Sequence, residues 1–234
     1  MTTIAVMQPY FLPYLGYFQL IAAVEKFVVL DDAAYMKQGW INRNRILLNG
    51  APHLFTVPVN GASPHRRICD LQVATQPAWR DKLLSSVHHA YARAPHYRTA
   101  AALLERIVHF SSTQLDAFLL NSLRETMDYL SLDTELVPTS RKYGNSAMHG
   151  EERVLDICRQ EGASRYLNAV GGMLLYQHET FRQHKIQLQF LTMQKTCYPQ
   201  GKHEHVGMLS ILDVIMYNCP DTTHSLLRNG YSLS

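Results

Sequence analysis

Long apolar runs, paired cysteines and blocks of like charge are all missing from this chain of 234 residues. No apolar run approaches the roughly 18 residues that a membrane-spanning helix needs, so a transmembrane protein is not expected. The four cysteines, Cys69, Cys158, Cys197 and Cys219, stand far apart with no CxxC pair. That spacing predicts free thiols in a reducing compartment and not a disulfide scaffold. Net charge is only +3, from 22 basic and 19 acidic residues, with no block of five or more like charges. The electrostatic footprint of a nucleic-acid or membrane-surface partner is therefore absent. The N-terminal Met1–Pro9 lacks a basic segment followed by a long apolar run and a small-residue cleavage site. It reads as a first strand and not a signal peptide, and a cytoplasmic location is expected. With no internal repeat, low-complexity tract or linker, residues 1–234 are expected to form one domain.

What is present suits an ordinary folded core: 47% hydrophobic and 18% charged residues, with twelve histidines able to add positive charge below about pH 6.5. Thr3–Met7 is a short apolar run with β-branched members, read as a buried strand. Leu15–Val24 has helical spacing, and Phe27–Leu30 is a second buried strand ending on Asp31-Asp32, which completes a βαβ unit. Ile41–Leu48, His53–Val59 and Ile68–Val73 are short extended runs, the first two separated by the hairpin signal Asn49-Gly50. They predict an antiparallel insertion over 41–74. Apolar residues at i, i+3, i+4 spacing predict three helices within 78–132, over Ala78–Ala92, His96–Phe110 and Thr113–Leu130. Alternation then returns, with strands at Thr134–Pro138, Arg165–Leu167 and Ile186–Thr192. Helices are expected over Glu151–Glu161, from Gly171-Gly172 to about Gln183, over Leu209–Asn218 and over Thr222–Arg228. The pattern predicts an α/β fold with a three-layer parallel sheet, Rossmann-like or nucleotidyltransferase-like in layout.

Ligands of open parallel sheets bind beyond the carboxyl ends of the strands. That rule selects Gln8–Tyr17, Asp31-Asp32 and Asn168–Gly172 as candidate site segments. Pro9 and Pro13 stiffen the first turn, Gly16 permits close approach, and Gln8 offers both donor and acceptor. The alternative is a rigid strand-to-helix joint with core aromatics. Asp32, at the end of a buried strand, is a candidate proton acceptor because burial raises a carboxylate's pKa; a helix cap or turn residue is equally compatible. Arg43 and Arg45 fall on one strand face, where they would clamp a phosphate or carboxylate with Trp40 as a stacking surface, and Asn42 falls on the other. A solvated arginine face is the plainer alternative.

His203-Glu204-His205 puts two imidazoles on one strand face, but no third ligand stands at suitable spacing. A proton-accepting or binding His205 is favoured over a metal site, and neither metal nor cofactor is expected. Cys197, near these histidines, is read as a packing or surface cysteine over a Cys–His acyl-transfer pair. Asp213 sits inside an apolar helix and must be paired; Ser210, Arg43 and Arg45 are candidate partners.

Two resemblances bear on these residues. Tyr14-Leu15-Gly16-Tyr17 stands where the nucleotidyltransferase superfamily has His-x-Gly-His, with both histidines replaced by tyrosine. The chain more closely resembles the WbqC-like family, through Gln8-Pro9-Tyr10-Phe11-Leu12-Pro13-Tyr14-Leu15-Gly16-Tyr17-Phe18, Leu30-Asp31-Asp32 and Lys37-Gln38-Gly39-Trp40-Ile41-Asn42-Arg43-Asn44-Arg45-Ile46. Thr56-Val57-Pro58-Val59, Tyr166-Leu167-Asn168 with Gly171-Gly172 and Tyr176, Tyr198-Pro199-Gln200 and Leu209-Ser210-Ile211-Leu212-Asp213 continue the match in order. Asn168 replaces a common serine, and Cys219-Pro220 a usual Gly-Pro. The resemblance adds Gln200 to the candidate binding set. Because family members occur among genes for O-antigen and other sugar-modified or specialised products, it implies a biosynthetic role.

Together these readings lead to an expected transferase. It would move an acyl or aminoacyl group from a nucleotide- or carrier-activated donor to an amine or hydroxyl. Arg43 and Arg45 would hold the donor's anion, Gln8 and Tyr17 would orient the carbonyl, and Asp32 or His205 would take the proton. The expected partner is a small molecule, nucleotide-linked or carrier-bound, and the chain leaves room for a homodimer. Nucleotidyl transfer and non-catalytic ligand binding or scaffolding are the competing readings.

Overall fold

The computed structural model describes residues 2–202 and 204–234. Strand β1 (Thr2–Met7) leads through a proline-rich turn into helix α1 (Leu15–Ala22) and strand β2 (Lys26–Val29). A long excursion follows. It contains the hairpin β3 (Arg43–Leu48) and β4 (Ala51–Thr56), the short pair β5 (Val59–Asn60) and β6 (Gln72–Val73), and helices α2 (Ala78–Tyr91), α3 (Tyr97–Val108) and α4 (Leu115–Tyr129). The chain then rejoins the main sheet as β7 (Glu135–Val137) and continues as α5 (Gly150–Gln160) and β8 (Ala163–Ala169). After these come α6 (His178–Gln183), β9 (Gln187–Met193), α7 (Ile211–Tyr217), α8 (Pro220–Asn229) and β10 (Tyr231–Leu233).

The main sheet has the order β10-β9-β8-β1-β2-β7, parallel throughout except for antiparallel β10. From β1 the chain builds outward to β2 and β7, then crosses back to lay β8 and β9 on the other side. Strand alternation sends Ala5, Phe27, Val29 and Leu167 to one face, where they pack with α1, α7, α8 and the inserted helices. Ile4, Val6, Val28 and Tyr166 point to the opposite face, covered by Ile157 of α5 and Phe181 of α6. Period-two burial on both faces is what a sheet between two helical layers requires.

Local chemistry accounts for the details. Asn49 and Gly50 both adopt positive φ, the conformation of a tight hairpin turn, which joins β3 to β4. In α3, Ala100, Leu103, Leu104, Ile107 and Val108 are buried on one stripe. Two expectations are corrected, and one element is new. Residues Ile68–Asp70 form a 3-10 turn before the short β6, so Ile68–Val73 is not one strand. The stretch from Gly171 is not one α-helix: Val170–Leu175 is 3-10, Tyr176 is extended, and α6 begins at His178. Adjacent glycines weaken an α-helical start, and the extended Tyr176 ends the turn. The edge strand β10 was not expected. Its three residues are too few to carry a periodic signal, and it forms by pairing with β9.

Among the described residues no helix is long and apolar enough to cross a membrane.

Candidate functional site

The strand order reverses direction between β1 and β8, because α1 and α5 lie on opposite faces of the sheet. Such a reversal leaves a crevice beyond the carboxyl ends of the two strands, where ligands of this architecture bind. A cleft of about 540 Å³ opens there, within the size range of small-molecule sites. Gln8 and Tyr10 border it from the β1 side, and Asn168, Gly171 and Gly172 from the β8 side. Trp40, Asn44 and Arg45 of the insertion close a third wall, and Met208 reaches it from the segment before α7.

The turn after β1 is held from two remote segments. Leu12 has φ +45°, unusual for a branched residue. Its carbonyl accepts hydrogen bonds from Asn44 Nδ2 at 2.7 Å and Ser210 Oγ at 2.8 Å. Phe11 N–H donates to the Ile41 carbonyl at 2.9 Å, and Ile211 N–H to that of Pro13 at 2.8 Å. These bonds tie the first turn to β3 and to the start of α7. Gly16 allows one close contact: a Cβ there would meet the Tyr14 ring at 2.5 Å. The neighbour that needs the space is therefore the Tyr14 ring, which itself lines the cleft.

Within the cleft, the Gln8 side-chain amide has no hydrogen-bond partner among the described residues. Arg45 projects from β3, with its guanidinium 5.1 Å from the Trp40 ring centroid and Nη2 donating to the Met208 carbonyl at 3.2 Å. Its Nε is buried without a partner, and none of the ion pairs among the described residues involves it. Asn168 is nearly buried; its Nδ2 donates to the Tyr166 hydroxyl at 3.1 Å, and its Oδ1 accepts the Ala169 N–H at 2.7 Å. Burial raises the phenols of Tyr10, Tyr14 and Tyr176, so at neutral pH they are hydrogen-bond donors. Among the described residues, no carboxylate, imidazole or thiol lines the cleft.

Several residues singled out from sequence face elsewhere. Tyr17 is almost fully buried, and its hydroxyl donates to the Gln8 main-chain carbonyl at 2.8 Å. It braces the strand end and offers no hydroxyl to the cleft. Asp32 is bound by Arg153, whose Nη2 lies 2.7 Å from both carboxylate oxygens, and by Ser140 Oγ at 2.5 Å. Burial works to raise its pKa, but Ser140 and Arg153 outweigh burial and hold it below the usual range. The expectation of a raised pKa is corrected, because the cation arrives from α5. Its neighbour Asp31 accepts from Thr139 and Ser140 and pairs with Arg141 at 2.9 Å.

Arg43 does not share a clamp with Arg45. Its Nε donates to the Gly39 carbonyl at 2.9 Å and Nη2 to that of Gln38, which folds the loop carrying Trp40. Asn42 is buried between the Tyr35 hydroxyl and the Val57 carbonyl, each at 2.7 Å. Gln200 donates to Asp213 Oδ2 at 2.5 Å and bonds both main-chain groups of Val206, away from the cleft. Asp213 is also reached by the hydroxyls of Tyr91 at 2.8 Å and Tyr198 at 2.7 Å. Those three neutral donors replace the Ser210 or arginine pairing expected from sequence. Burial nevertheless raises the Asp213 pKa, against the opposing pull of those donors.

His205 packs edge-on against Tyr198, with its Nδ1 3.2 Å from the Tyr198 carbonyl, and borders a separate small cavity on the far side of Tyr14 and Met208. His203 lies outside the described residues. Among the described residues no three His, Cys, Asp or Glu side chains gather as metal ligands. Cys197 is exposed, and all four thiols are unpaired. Tyr10 and Tyr14 line the cleft from within the Gln8–Tyr17 segment selected from sequence, with no role assigned to their rings there, and Tyr176 from within the family match, whereas Met36, Leu175 and Met208 were not singled out. Met36 and Met208 carry no chemical signal of their own.

No solved structure matches the chain. A Mycobacterium tuberculosis (strain ATCC 25618 / H37Rv) relative, described as uncharacterized protein Rv1507c, is 29% identical over 174 residues, covering 72% of this chain and 72% of its own. The model of the WbqC-like protein family matches residues 8–225, from the turn after β1 to within α8, and the chain belongs to that family.

Proposed function

We propose that the chain is a biosynthetic transferase that works in the β1/β8 cleft. It moves an acyl or aminoacyl group from a nucleotide- or carrier-activated donor to an amine or hydroxyl, in the assembly of a sugar-containing or specialised product. One observation carries this reading. Gln8, Arg45 and Asn168 converge in a cleft at the topological switch point whose lining, among the described residues, has no carboxylate, imidazole or thiol.

That inventory suits a reaction whose driving force resides in the donor. Arg45 holds the donor's anionic portion through its planar donor fork. The Gln8 amide N–H hydrogen-bonds the carbonyl oxygen as negative charge develops there. The acceptor amine's lone pair forms the new C–N bond, and the tetrahedral intermediate collapses with loss of the thiolate or phosphate leaving group. The amine's proton passes to that leaving group or to water. Juxtaposition in the cleft supplies the acceleration. Nucleotidyl transfer is less well supported, since magnesium and triphosphate call for carboxylates and several cations. A non-catalytic binding protein is the second reading, favoured by the same lining, which among the described residues has no carboxylate or imidazole. Four unpaired thiols suit a reducing, cytoplasmic setting.

The test combines turnover with binding. Acyl thioesters and acyl adenylates are offered with amine and hydroxyl acceptors, and product is followed by mass spectrometry. Arg45→Ala is expected to weaken donor binding by about 1.5–3 kcal/mol. Arg43→Ala is expected to act mainly through stability. Tight binding without turnover moves the protein to the binding reading, and pyrophosphate release from a nucleoside triphosphate moves it to nucleotidyl transfer.

A further inference from the structure

Apolar side chains are unevenly distributed over the surface. Of the nine large hydrophobic residues exposed among the described residues, seven lie in three segments around the cleft. Met36 and Trp40 come from the loop before β3, and Met208 from the segment before α7. Four come from the 3-10 turn at Val170–Leu175, where Leu174 is fully exposed and Leu175 is 66% exposed. Met36, Trp40, Leu175 and Met208 line the cleft itself. Scattered apolar residues on a surface need no explanation, but a contiguous set rimmed by polar groups marks a binding region.

Burial divides the lining into a floor and a mouth. Asn44 and Asn168 are buried and Gln8 and Arg45 half-buried, beside buried or half-buried Val6, Met7, Pro13 and Leu30, whereas the exposed lining residues are the four apolar ones and Gly171. A floor that holds the lining's amides and the Arg45 guanidinium, which has no ion-pair partner among the described residues, thus opens into an apolar mouth. We infer that the mouth is a subsite for an aliphatic or aromatic acyl chain. The activated carbonyl then sits against Gln8, and the donor's anion against Arg45. This rests on the transferase reading above and specifies its donor: an apolar acyl group in preference to acetyl, glycyl or another small polar one. Continuity of the apolar set with a cavity of about 540 Å³ is what favours a small-molecule chain as occupant.

The experiment is a chain-length series. Acetyl-, butyryl-, hexanoyl- and octanoyl-coenzyme A are titrated into the intact protein by calorimetry, and into Met36→Ser and Leu175→Ser variants. Both replaced side chains are exposed, so folding should be retained; thermal melting checks it. Affinity is expected to rise roughly threefold to fourfold for each methylene buried, and both variants are expected to flatten that rise. A flat series in which acetyl-coenzyme A binds as well as octanoyl overturns the inference and leaves the transferase reading intact. A rise unchanged by both variants also overturns it, by placing the chain elsewhere. Failure of every thioester to bind removes the donor assignment and this inference with it. If Leu174→Ser instead converts a dimer to a monomer and no chain-length rise exists, the patch is an interface between copies and the subsite is disproved.

Discussion

The hydroxyl of Tyr17 donates a 2.8 Å hydrogen bond to the main-chain carbonyl of Gln8. The two residues enclose the turn after β1, so a side chain fully inside the core fixes the backbone from which the Gln8 amide reaches the cleft. Tyr17→Phe keeps the ring among Tyr10, Phe18 and Phe27 and removes only the hydroxyl. Expected is a loss of about 1 kcal/mol in stability, from the half-buried carbonyl left without this donor. Urea denaturation measures it. Ligand affinity should fall only a few-fold, and a thousandfold loss of turnover in a stable variant would return Tyr17 to the reacting centre.

Asp32 and Arg153 form a buried pair in which each needs the other. Asp32→Ala leaves a guanidinium side chain only 9% exposed and without its carboxylate, at an expected cost of about 3–5 kcal/mol. Replacing both, as Asp32→Leu with Arg153→Met, should recover most of that loss, because the uncompensated charge goes too. Chemical denaturation of the two singles and the double tests this. A double variant no more stable than Asp32→Ala would mean that the pair does more than neutralise itself.

Adjacent glycines in the β8 wall should behave differently. A Cβ on Gly172 would lie 2.9 Å from Asn168 Nδ2, whereas one on Gly171 meets nothing within 4 Å. Gly172→Ala must turn the Asn168 amide away from the Tyr166 hydroxyl, and is expected to weaken ligand binding about tenfold. Gly171→Ala should stay within about 0.5 kcal/mol of the parent in stability. Equal effects from the two would show that Asn168's orientation does not matter to binding.

Acid sensitivity should be traceable to Glu161. Burial tends to raise its pKa, but Lys142 and Lys26, each at 2.8 Å, and the Tyr143 hydroxyl at 2.7 Å lower it to about 2. The ordinary value is near 4.5. The stabilisation is therefore complete above that value and disappears as pH falls toward about 2. Glu161→Gln should be less stable than the parent by about 2–3 kcal/mol at neutral pH. The gap should close between about pH 4.5 and 2, as followed by denaturation at stepped pH. A gap independent of pH would mean that packing, not charge, is lost.

The frame was legible in the sequence where a signal was local. The apolar run Thr3–Met7, the stripe on α3 and the Asn49-Gly50 turn each specify their element within a few residues. The strand-end rule pointed to Gln8 and Asn168, and both border the cleft. What could not be read was which partner each polar side chain would meet. Arg153 stands 121 positions beyond Asp32, and Leu226, whose carbonyl accepts from Gln19, stands 207 beyond that glutamine. Arg43 and Arg45 share a strand face, as the period of two requires, yet backbone carbonyls at 38 and 39 capture only the first. A loop that folds back on its own strand leaves no trace in side-chain alternation.

The excursion between β2 and β7 departs from and returns to neighbouring strands at one side of the main sheet. The sheet frame and the inserted module each contribute one part of the cleft: Gln8, Asn168 and the glycines from the frame, Trp40 and Arg45 from the module. Selectivity can therefore drift in the module while the strand order stays untouched. Exchange of residues 31–134 between relatives should carry with it whatever the Trp40 and Arg45 wall recognises, and leave behind whatever the β8 wall recognises. In that sense the molecule is a fixed jaw and an interchangeable one, hinged by chemistry and not by motion.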